Sequence, residues 1–306
     1  MTQMRRLEIP RKGDLYERGR VGPVRTFDIE REEFERVRQE RPELLVASDA
    51  GLMLLQPKGS RAWLYYAFDS VDALRREFRP MFERLTGSLR ANEARSGILL
   101  WFSDRPNRPY IEPVLSDSLF ALAYEWMEMN LAALPDEPAP AGDIAPGFAL
   151  RPVAPSDYEA LAAIDVAAFA DDAWQAEDFV EAAQRASEMR GAEERDGGRL
   201  VGYIGLRIQE GHTGEVTFLA VLPEHQRRGL GEAMLRWGLA WLRGQGMRRA
   251  RLNVHADNVA AIALYRKLGF VPGQRGLTYR RPTSKQELDE IASKRKGTYI
   301  KFGGWR

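Results

Sequence analysis

At 306 residues the chain is long for one hydrophobic core and suits two domains. Its 45 basic residues nearly balance 44 acidic ones, so no global field draws it to nucleic acid or to an anionic membrane. With no cysteine it has no disulfide, no thiolate metal site and no cysteine nucleophile, so any acyl thioester it handles belongs to a cofactor. The first residues lack the apolar core of a signal sequence, and no apolar run approaches the roughly 18 residues of a spanning helix. The expected location is the cytoplasm, with no membrane partner.

In chain order, residues 1 to 23 are polar, with glycines at 13, 19 and 22, which predicts an extended arm. Glu30 to Glu40 reads as an amphipathic helix carrying Phe34 and Val37 and stopped by Pro42. Leu44–Val46, Leu52–Leu55 and Ala62–Phe68 are predicted strands between turn signals. A helix follows over Val71–Leu85, then a strand over Gly97–Phe102, a helix from near Asn107 and a strand over Tyr124–Leu131. Residues 134 to 147 hold four prolines, a composition that extends the chain and predicts a linker.

The second half repeats that order. Phe148–Val153 is a predicted strand, Ser156 or Asp157 caps a helix to about Ala168, and Ala176–Arg190 reads as a second helix with Phe179, Ala183 and Ala186 on one side. Leu200–Ile208 is a strand paired back through Asp196-Gly-Gly198. Val216 to Leu222 alternates as a strand, Pro223 ends it, and helix 231 to 243 opens after Gln226-Arg-Arg-Gly-Leu-Gly231. Strand Ala250–Val254 and a helix after Asn258 come next, then a helix over Ser284–Arg295 and a strand over Thr298–Phe302. Asn107 precedes Phe120 by thirteen positions and Asn258 precedes Phe270 by twelve, which suggests one duplicated unit. The first copy has no glycine pair after Phe68, and Pro113 falls where the second has helix and a tyrosine. It is not expected to bind coenzyme in the usual way.

Gly229 and Gly231 stand where backbone approaches a ligand, and the helix that opens there has free N–H groups that suit phosphate. A third glycine for a dinucleotide fingerprint is lacking, as is the Gly-Lys-Ser/Thr of a P-loop. Seven arginines meet one glutamate from His225 to Arg251, which suits several phosphate charges or is simply a solvated basic face. The histidines at 212, 225 and 255 have no metal-ligand spacing, so no metal is expected.

The stretch from Val216 to Gly231 resembles the acetyl-CoA-binding motif of the GNAT superfamily of N-acetyltransferases, Arg/Gln-x-x-Gly-x-Gly/Ala after a strand ending in Pro-Glu. The second family motif is present as Asn258 followed by Ala263-Leu-Tyr-Arg-Lys-Leu-Gly-Phe270. The resemblance covers roughly residues 148 to 282 and is faint over the first 135. It implies an α/β (α+β) chain of two GNAT-like domains, each a mixed, mostly antiparallel sheet flanked by helices. The expected divisions are a degenerate domain at 1–135, a linker at 136–147 and a catalytic domain at 148–306.

The resemblance also implies roles. Gln226, Arg227, Arg228, Gly229, Leu230 and Gly231 would cradle the coenzyme pyrophosphate. Leu219, Ala220 and Val221 would pair with the pantetheine arm where the strand splays from its neighbour, and the Val221 N–H would stabilise an oxyanion. Tyr265 would protonate the departing thiolate, or else packs with Ile262 and Leu268. Asn258 caps its helix and would contact coenzyme. Glu215, read as sharing a face with Thr217, Leu219 and Val221, stands at an offset resembling a glutamate base, or else is a solvated strand residue. The function implied is acetyl transfer from acetyl-CoA to a primary amine of a small molecule or peptide. A non-catalytic acyl-CoA-binding sensor is the rival. The partners expected are a coenzyme A thioester and an amine, with no nucleic acid and with a homodimer left open.

Overall fold

The computed structural model describes residues 14–90, 93–102, 106–136, 143–169 and 173–289. In chain order the helices and strands are α1 (Leu15–Val21), β1 (Val24–Arg25), α2 (Arg31–Glu40), β2 (Leu45–Ala47), β3 (Gly51–Lys58), β4 (Arg61–Phe68), α3 (Val71–Gly87), β5 (Ile98–Phe102), α4 (Arg108–Asp117) and β6 (Ala121–Leu131). They continue as β7 (Asp143–Ala145), β8 (Phe148–Pro152), α5 (Tyr158–Phe169), α6 (Ala176–Arg185), β9 (Glu188–Glu194), β10 (Leu200–Gln209), β11 (Thr213–Val221), α7 (Leu230–Gly244), β12 (Arg249–His255), α8 (Val259–Lys267) and β13 (Val271–Arg281). The chain is α/β, built as two compact units that each carry a mixed sheet.

In the first unit β2, β3, β4 and β5 lie side by side, antiparallel except for the pair β4 and β5. Helix α3 is the crossover between those parallel strands, capped by the Ser70 hydroxyl and burying Leu74, Phe78 and Phe82. In the second unit the order is β6, β12, β11, β10, β9, β8, β7, again antiparallel except for one pair, β11 and β12, joined by α7. Each parallel strand is then followed by a short helix, α4 or α8. The duplicated order is therefore visible as topology: strand, helix, parallel strand, helix.

The strands after those helices trade places. Trp126–Leu131 of β6 pairs antiparallel with β12 in the second unit, and Leu277–Arg281 of β13 pairs antiparallel with β5 in the first. Side chains fix β13 there: the Tyr279 hydroxyl donates to Glu112, and Arg280 Nε and Arg281 Nε donate to the carbonyls of Ser96 and Ser118 at 2.9 and 3.0 Å. The first unit thus comprises residues 1–124 with 276–306 and the second 125–275, a division that crosses the expected boundaries. Pairing between segments this far apart in sequence has no local signature.

Other departures are local. Leu15–Val21 is helical, capped by Asp14, where an arm was expected. Residues 188 to 194 form β9, not the end of a long helix: α6 stops at Arg185 and Ala186 is extended, so the apolar spacing that ran to Arg190 joined a helix to a strand. Helix α4 runs through Pro113. The carboxyl end of the proline-rich stretch pairs as β7 against β8, and Ile144 and Ala145 pack on the core. The strand expected over Thr298–Phe302 and most of the helix over Ser284–Arg295 lie outside the described residues. Among the described residues no helix is long and apolar enough to cross a membrane.

Candidate active site

Strand β11 shapes the site. One edge pairs with β10 along its whole length, whereas the other pairs with β12 only from Thr213 to Val216. There the register against β10 slips: Val216 faces Leu206 and Phe218 faces Gly205, so Thr217 is an extra residue. A bulge of this kind bends its strand, and beyond it the second edge of β11 has no strand partner among the described residues. The Leu222 N–H donates to Val201 O on β10 at 2.8 Å. Backbone groups alternate along a strand, so the N–H groups of Leu219 and Val221 point to the open edge.

The bulge also resets the faces. A Cβ on Gly214 would strike Leu242 of α7, and one on Gly231 would lie 3.8 Å from Val221 Cγ2, so Gly214 and Val221 face α7. Glu215 faces away from α7, together with Thr217 and with Phe218, whose ring meets Trp174 at 4.7 Å edge-on. The expectation that Glu215 shares a face with Leu219 and Val221 is therefore corrected: counting by twos fails across an inserted residue.

Beyond Val221, Pro223–His225 makes a tight turn, and Gln226 Nε2 donates back to the Val221 carbonyl at 2.9 Å. The Gln226 amide thus anchors the loop to the strand end. Arg227 and Gly229 both take positive φ, 60° and 82°. Gly229 caps α7 without a side-chain acceptor, and a Cβ there would meet no atom within 4 Å. The first intrahelical bond runs from Ala233 N–H to Gly229 O, which leaves the N–H groups of Leu230, Gly231 and Glu232 without helical acceptors. Of the seven arginines, Arg236, Arg243 and Arg251 are ion-paired, while Arg227 and Arg228 are exposed and have no ion pair among the described residues. The cationic field of this stretch is thereby concentrated at the loop. His225, buried beneath it, holds Glu194 through Nε2 at 2.9 Å and sets its ring edge-on to Phe148.

Helix α8 closes the site from another side. Asn258 Oδ1 accepts the Ala261 N–H at 3.1 Å, the expected cap. Leu264 Cδ2 lies 4.0 Å from the Cβ position of Gly231, so α8, the first turn of α7 and the end of β11 converge. Tyr265 is 7 % exposed and packs on Phe270, with ring centroids 5.9 Å apart. Burial alone pushes its phenol up to about 12, so the proton stays on at physiological pH.

Glu215 is 8 % exposed and is not a solvated strand residue. Its Oε2 accepts from Arg207 and, at 2.7 Å, from Gln209 Nε2; Oε1 has only Arg251 Nε at 3.8 Å. Arg207, Gln209 and Arg251 were not singled out in the sequence. The signal for two of them was a hairpin centred on Gly211, which sets Arg207 opposite Glu215 and Gln209 opposite Thr213. Thr217 was also missed as a site residue: its hydroxyl is buried at the bulge with no hydrogen-bond partner. On the same side, Asp165 of α5 accepts from the Tyr203 hydroxyl and, at 2.6 Å, from the Trp174 N–H, tying the α5–α6 layer to the sheet. Among the described residues no cluster of histidine and carboxylate could hold a metal.

An open strand edge next to an uncapped, arginine-flanked helix start can receive an extended amide-bearing chain that ends in phosphates. Comparison with known proteins agrees. Residues 158–270 match the model of the Acetyltransferase (GNAT) family. A mycothiol acetyltransferase of Streptomyces coelicolor is 45% identical over 91 residues, 29% of this chain and 29% of its own. One of Thermobispora bispora is 35% identical over 158 residues, 47% of this chain and 53% of its own. The chain therefore spans about half or less of the length of these curated relatives. A crystal structure of a GCN5-related N-acetyltransferase from Sphaerobacter thermophilus aligns with a TM-score of 0.58 at 18% identity, covering 83% of this chain and 86% of that one, so the shared fold extends into the first unit. Residues 158–270, which carry Glu215, the loop at Gly229 and Tyr265, are an acetyltransferase (GNAT) family domain.

Proposed function

We propose that the chain is an acetyl-CoA-dependent N-acetyltransferase, acting from its second unit on a primary amine of a small molecule. The observation that carries this reading is the open edge of β11 beside the uncapped start of α7. The bound coenzyme would supply the acetyl group as a thioester. The chain's own groups account for the rest. The N–H groups of Leu219 and Val221 would hold the pantetheine arm as a neighbouring strand would. The free N–H groups of Leu230, Gly231 and Glu232, with Arg227 and Arg228, would hold phosphate charge. A Val221 N–H aimed at a developing oxyanion would contribute about 3 kcal/mol.

Tyr265 would act as the proton donor to the departing sulfur. A thiol titrates near 8.5, about 3 units below this phenol, so complete transfer is uphill by roughly 5 kcal/mol. Tyr265 therefore serves chiefly as a hydrogen-bond donor to the sulfur. Glu215 would be the base, through Oε1 and a water, because Oε2 is fully occupied. The names of the relatives support a small-molecule acceptor over a peptide amine.

The test is coenzyme release from acetyl-CoA with a panel of small amines and amino-terminal peptides. Amine-dependent release above the hydrolysis background is expected. A coenzyme-binding sensor without chemistry is the second reading, favoured by the engagement of Glu215, and tight acetyl-CoA binding with no amine-dependent release would establish it instead.

A further inference from the structure

The first unit contains the same kind of slot, and it is already filled. Strand β4 pairs with β3 along one whole edge, from Arg61 to Phe68. On its other edge it pairs with β5 only at Ala62 and Trp63, then diverges, as β11 does from β12. The vacated edge is taken by the chain itself: Val24 pairs with Phe68 and Arg25 with Ala67, and the Thr26 N–H donates to Tyr66 O at 2.9 Å. Because β3 occupies the opposite edge at the same residues, β1 lies on the side of β5. Gly22 rests on Ala67, where a Cβ would come 3.1 Å from the Ala67 Cβ, and Asn107 at the start of α4 reaches Pro23 O at 3.4 Å.

The strand just before the helix layer goes elsewhere in the second unit. There β8 pairs with β9, on the far side of the sheet from the open edge of β11. In the first unit the corresponding strand, β1, has left that border and entered the slot.

We propose that Gly22–Thr26 is a built-in ligand, which occupies in the first unit the strand-edge slot that takes the coenzyme's pantetheine arm in the second. The second half of this statement rests on the coenzyme reading given above; the first half stands on the pairing of β1. A strand edge binds an amide chain by backbone hydrogen bonds and reads little of its side chains, so a peptide segment and a pantetheine arm are interchangeable guests. The apolar anchors make this guest permanent: Val24 is 3 % exposed, and Phe27 and Ile29 are buried just after it. The phosphate end of the slot is closed as well, because α3 begins with the Ser70 hydroxyl bonded to the Ala73 N–H and Asp72 in its first turn. The first unit is accordingly a receptor for its own amino-terminal segment and takes up no coenzyme.

Amide hydrogen exchange on the whole chain tests this, since a fragment ending at residue 135 would lack the closing strand β13. The amides of Tyr66 and Phe68 face β1, and those of Leu219 and Val221 face the open edge. Saturating acetyl-CoA is expected to slow Leu219 and Val221 by about tenfold or more and to leave Tyr66 and Phe68 within about twofold. Val24→Asp is expected to speed Tyr66 and Phe68 by about tenfold without changing coenzyme affinity; should that variant not fold, Val24→Ala reads the same change at smaller size. Coenzyme-dependent slowing at Tyr66 and Phe68, two coenzymes bound per chain, or unaltered exchange there in the Val24 variants would overturn the proposal. Absence of slowing at Leu219 and Val221 would instead remove the coenzyme reading of the second unit, while the Val24 variants would still decide what fills the first.

Discussion

The two units keep the same skeleton and differ where chemistry would occur. In both, the phenylalanine after the short helix donates its N–H to a residue five places earlier: Phe270 to Tyr265 O at 3.0 Å, Phe120 to Leu115 O at 2.9 Å. Leu115 thus stands where the phenol stands. Counting from the first parallel pair, Thr213 with Arg249 and Ala62 with Ile98, Leu64 stands where Glu215 stands. The helix start that is bare at Gly229 is closed by Ser70. Apolar burial and turn geometry suffice to preserve the fold, and they place no demand on a carboxylate, a phenol or an uncapped helix end. The bulge belongs with the chemistry, since β11 has one and β4 pairs without a break.

Substitution at Gly229 should break this contrast most completely. Its φ of 82° is in the left-handed region, and a β-branched residue there costs roughly 1–2 kcal/mol of local strain while filling the space in front of the helix N–H groups. Because a Cβ meets none of the chain's own atoms, Gly229→Val should stay folded and lose acetyl-CoA affinity by at least about a hundredfold. Calorimetric titration with acetyl-CoA checks it, with circular dichroism for the fold; unchanged affinity would show that the loop is an ordinary turn, no more suited to phosphate than the start of α3.

Next in size are the two side chains that the first unit lacks. Tyr265→Phe, which makes the position chemically as silent as Leu115, should lower turnover by about 10²-fold, the low end for acid catalysis, because full proton transfer to sulfur is uphill. The phenol stays protonated up to about 12, so the wild-type rate should show no descending limb from it below pH 10. Its folded pKa lies above the ordinary value of 10.0, so the neutral form is the one the fold favours. Relative to Tyr265→Phe, stability is then fully present below pH 10 and falls by roughly 3 kcal/mol as pH rises to 12. Glu215→Gln should suppress the acidic limb of the rate, with partial rescue at alkaline pH as more acceptor amine becomes neutral. A pH series of acetyl transfer reads all three; full activity of Tyr265→Phe would return the tyrosine to the core, and an intact acidic limb in Glu215→Gln would leave the glutamate as the clasp of Arg207 and Arg251.

Legibility in the sequence followed the range of the interactions. The loop from Gln226 to Gly231, the Asn258 cap and the long amphipathic helices α3 and α7 are set by neighbours three or four residues apart, and they were readable. The face of Glu215 was not, because the inserted Thr217 shows itself only against β10. Strand β9 was taken for helix because Phe179, Ala183 and Ala186 hold a helical period up to its edge. Strand β1 has two residues and is defined wholly by β4, and β13 opens with five exposed residues before its buried stretch at Gly276–Tyr279. The exchange of β6 and β13 depends on partners in the opposite half of the chain, which no window of sequence contains.

The smallest effect concerns the turn that ends the short helix in each unit, and it should change sign between them. Gly269 takes φ 90° directly before Phe270, and its counterpart before Phe120 is Leu119, held at φ 64°. Both donate to the residue three places back, Gly269 to Arg266 O and Leu119 to Ser116 O, so the same left-handed turn is made once with glycine and once against the preference of a branched side chain. Gly269→Ala should destabilise by about 1 kcal/mol, since alanine is strained at positive φ and its Cβ would sit 3.3 Å from Leu131 Cδ1. Leu119→Gly relieves roughly 1–2 kcal/mol of left-handed strain and gives back about 0.5–1 kcal/mol through the freer unfolded chain, so a gain of about 0.5 kcal/mol is expected. Because Leu119 is half-buried, lost apolar contact trims that gain without reversing it. Urea unfolding of the two variants beside the wild type measures both. Opposite signs would show that the first unit has kept the geometry of the second while losing the glycine that made it cheap; destabilisation by Leu119→Gly of 1 kcal/mol or more would show instead that the leucine side chain holds the turn by packing.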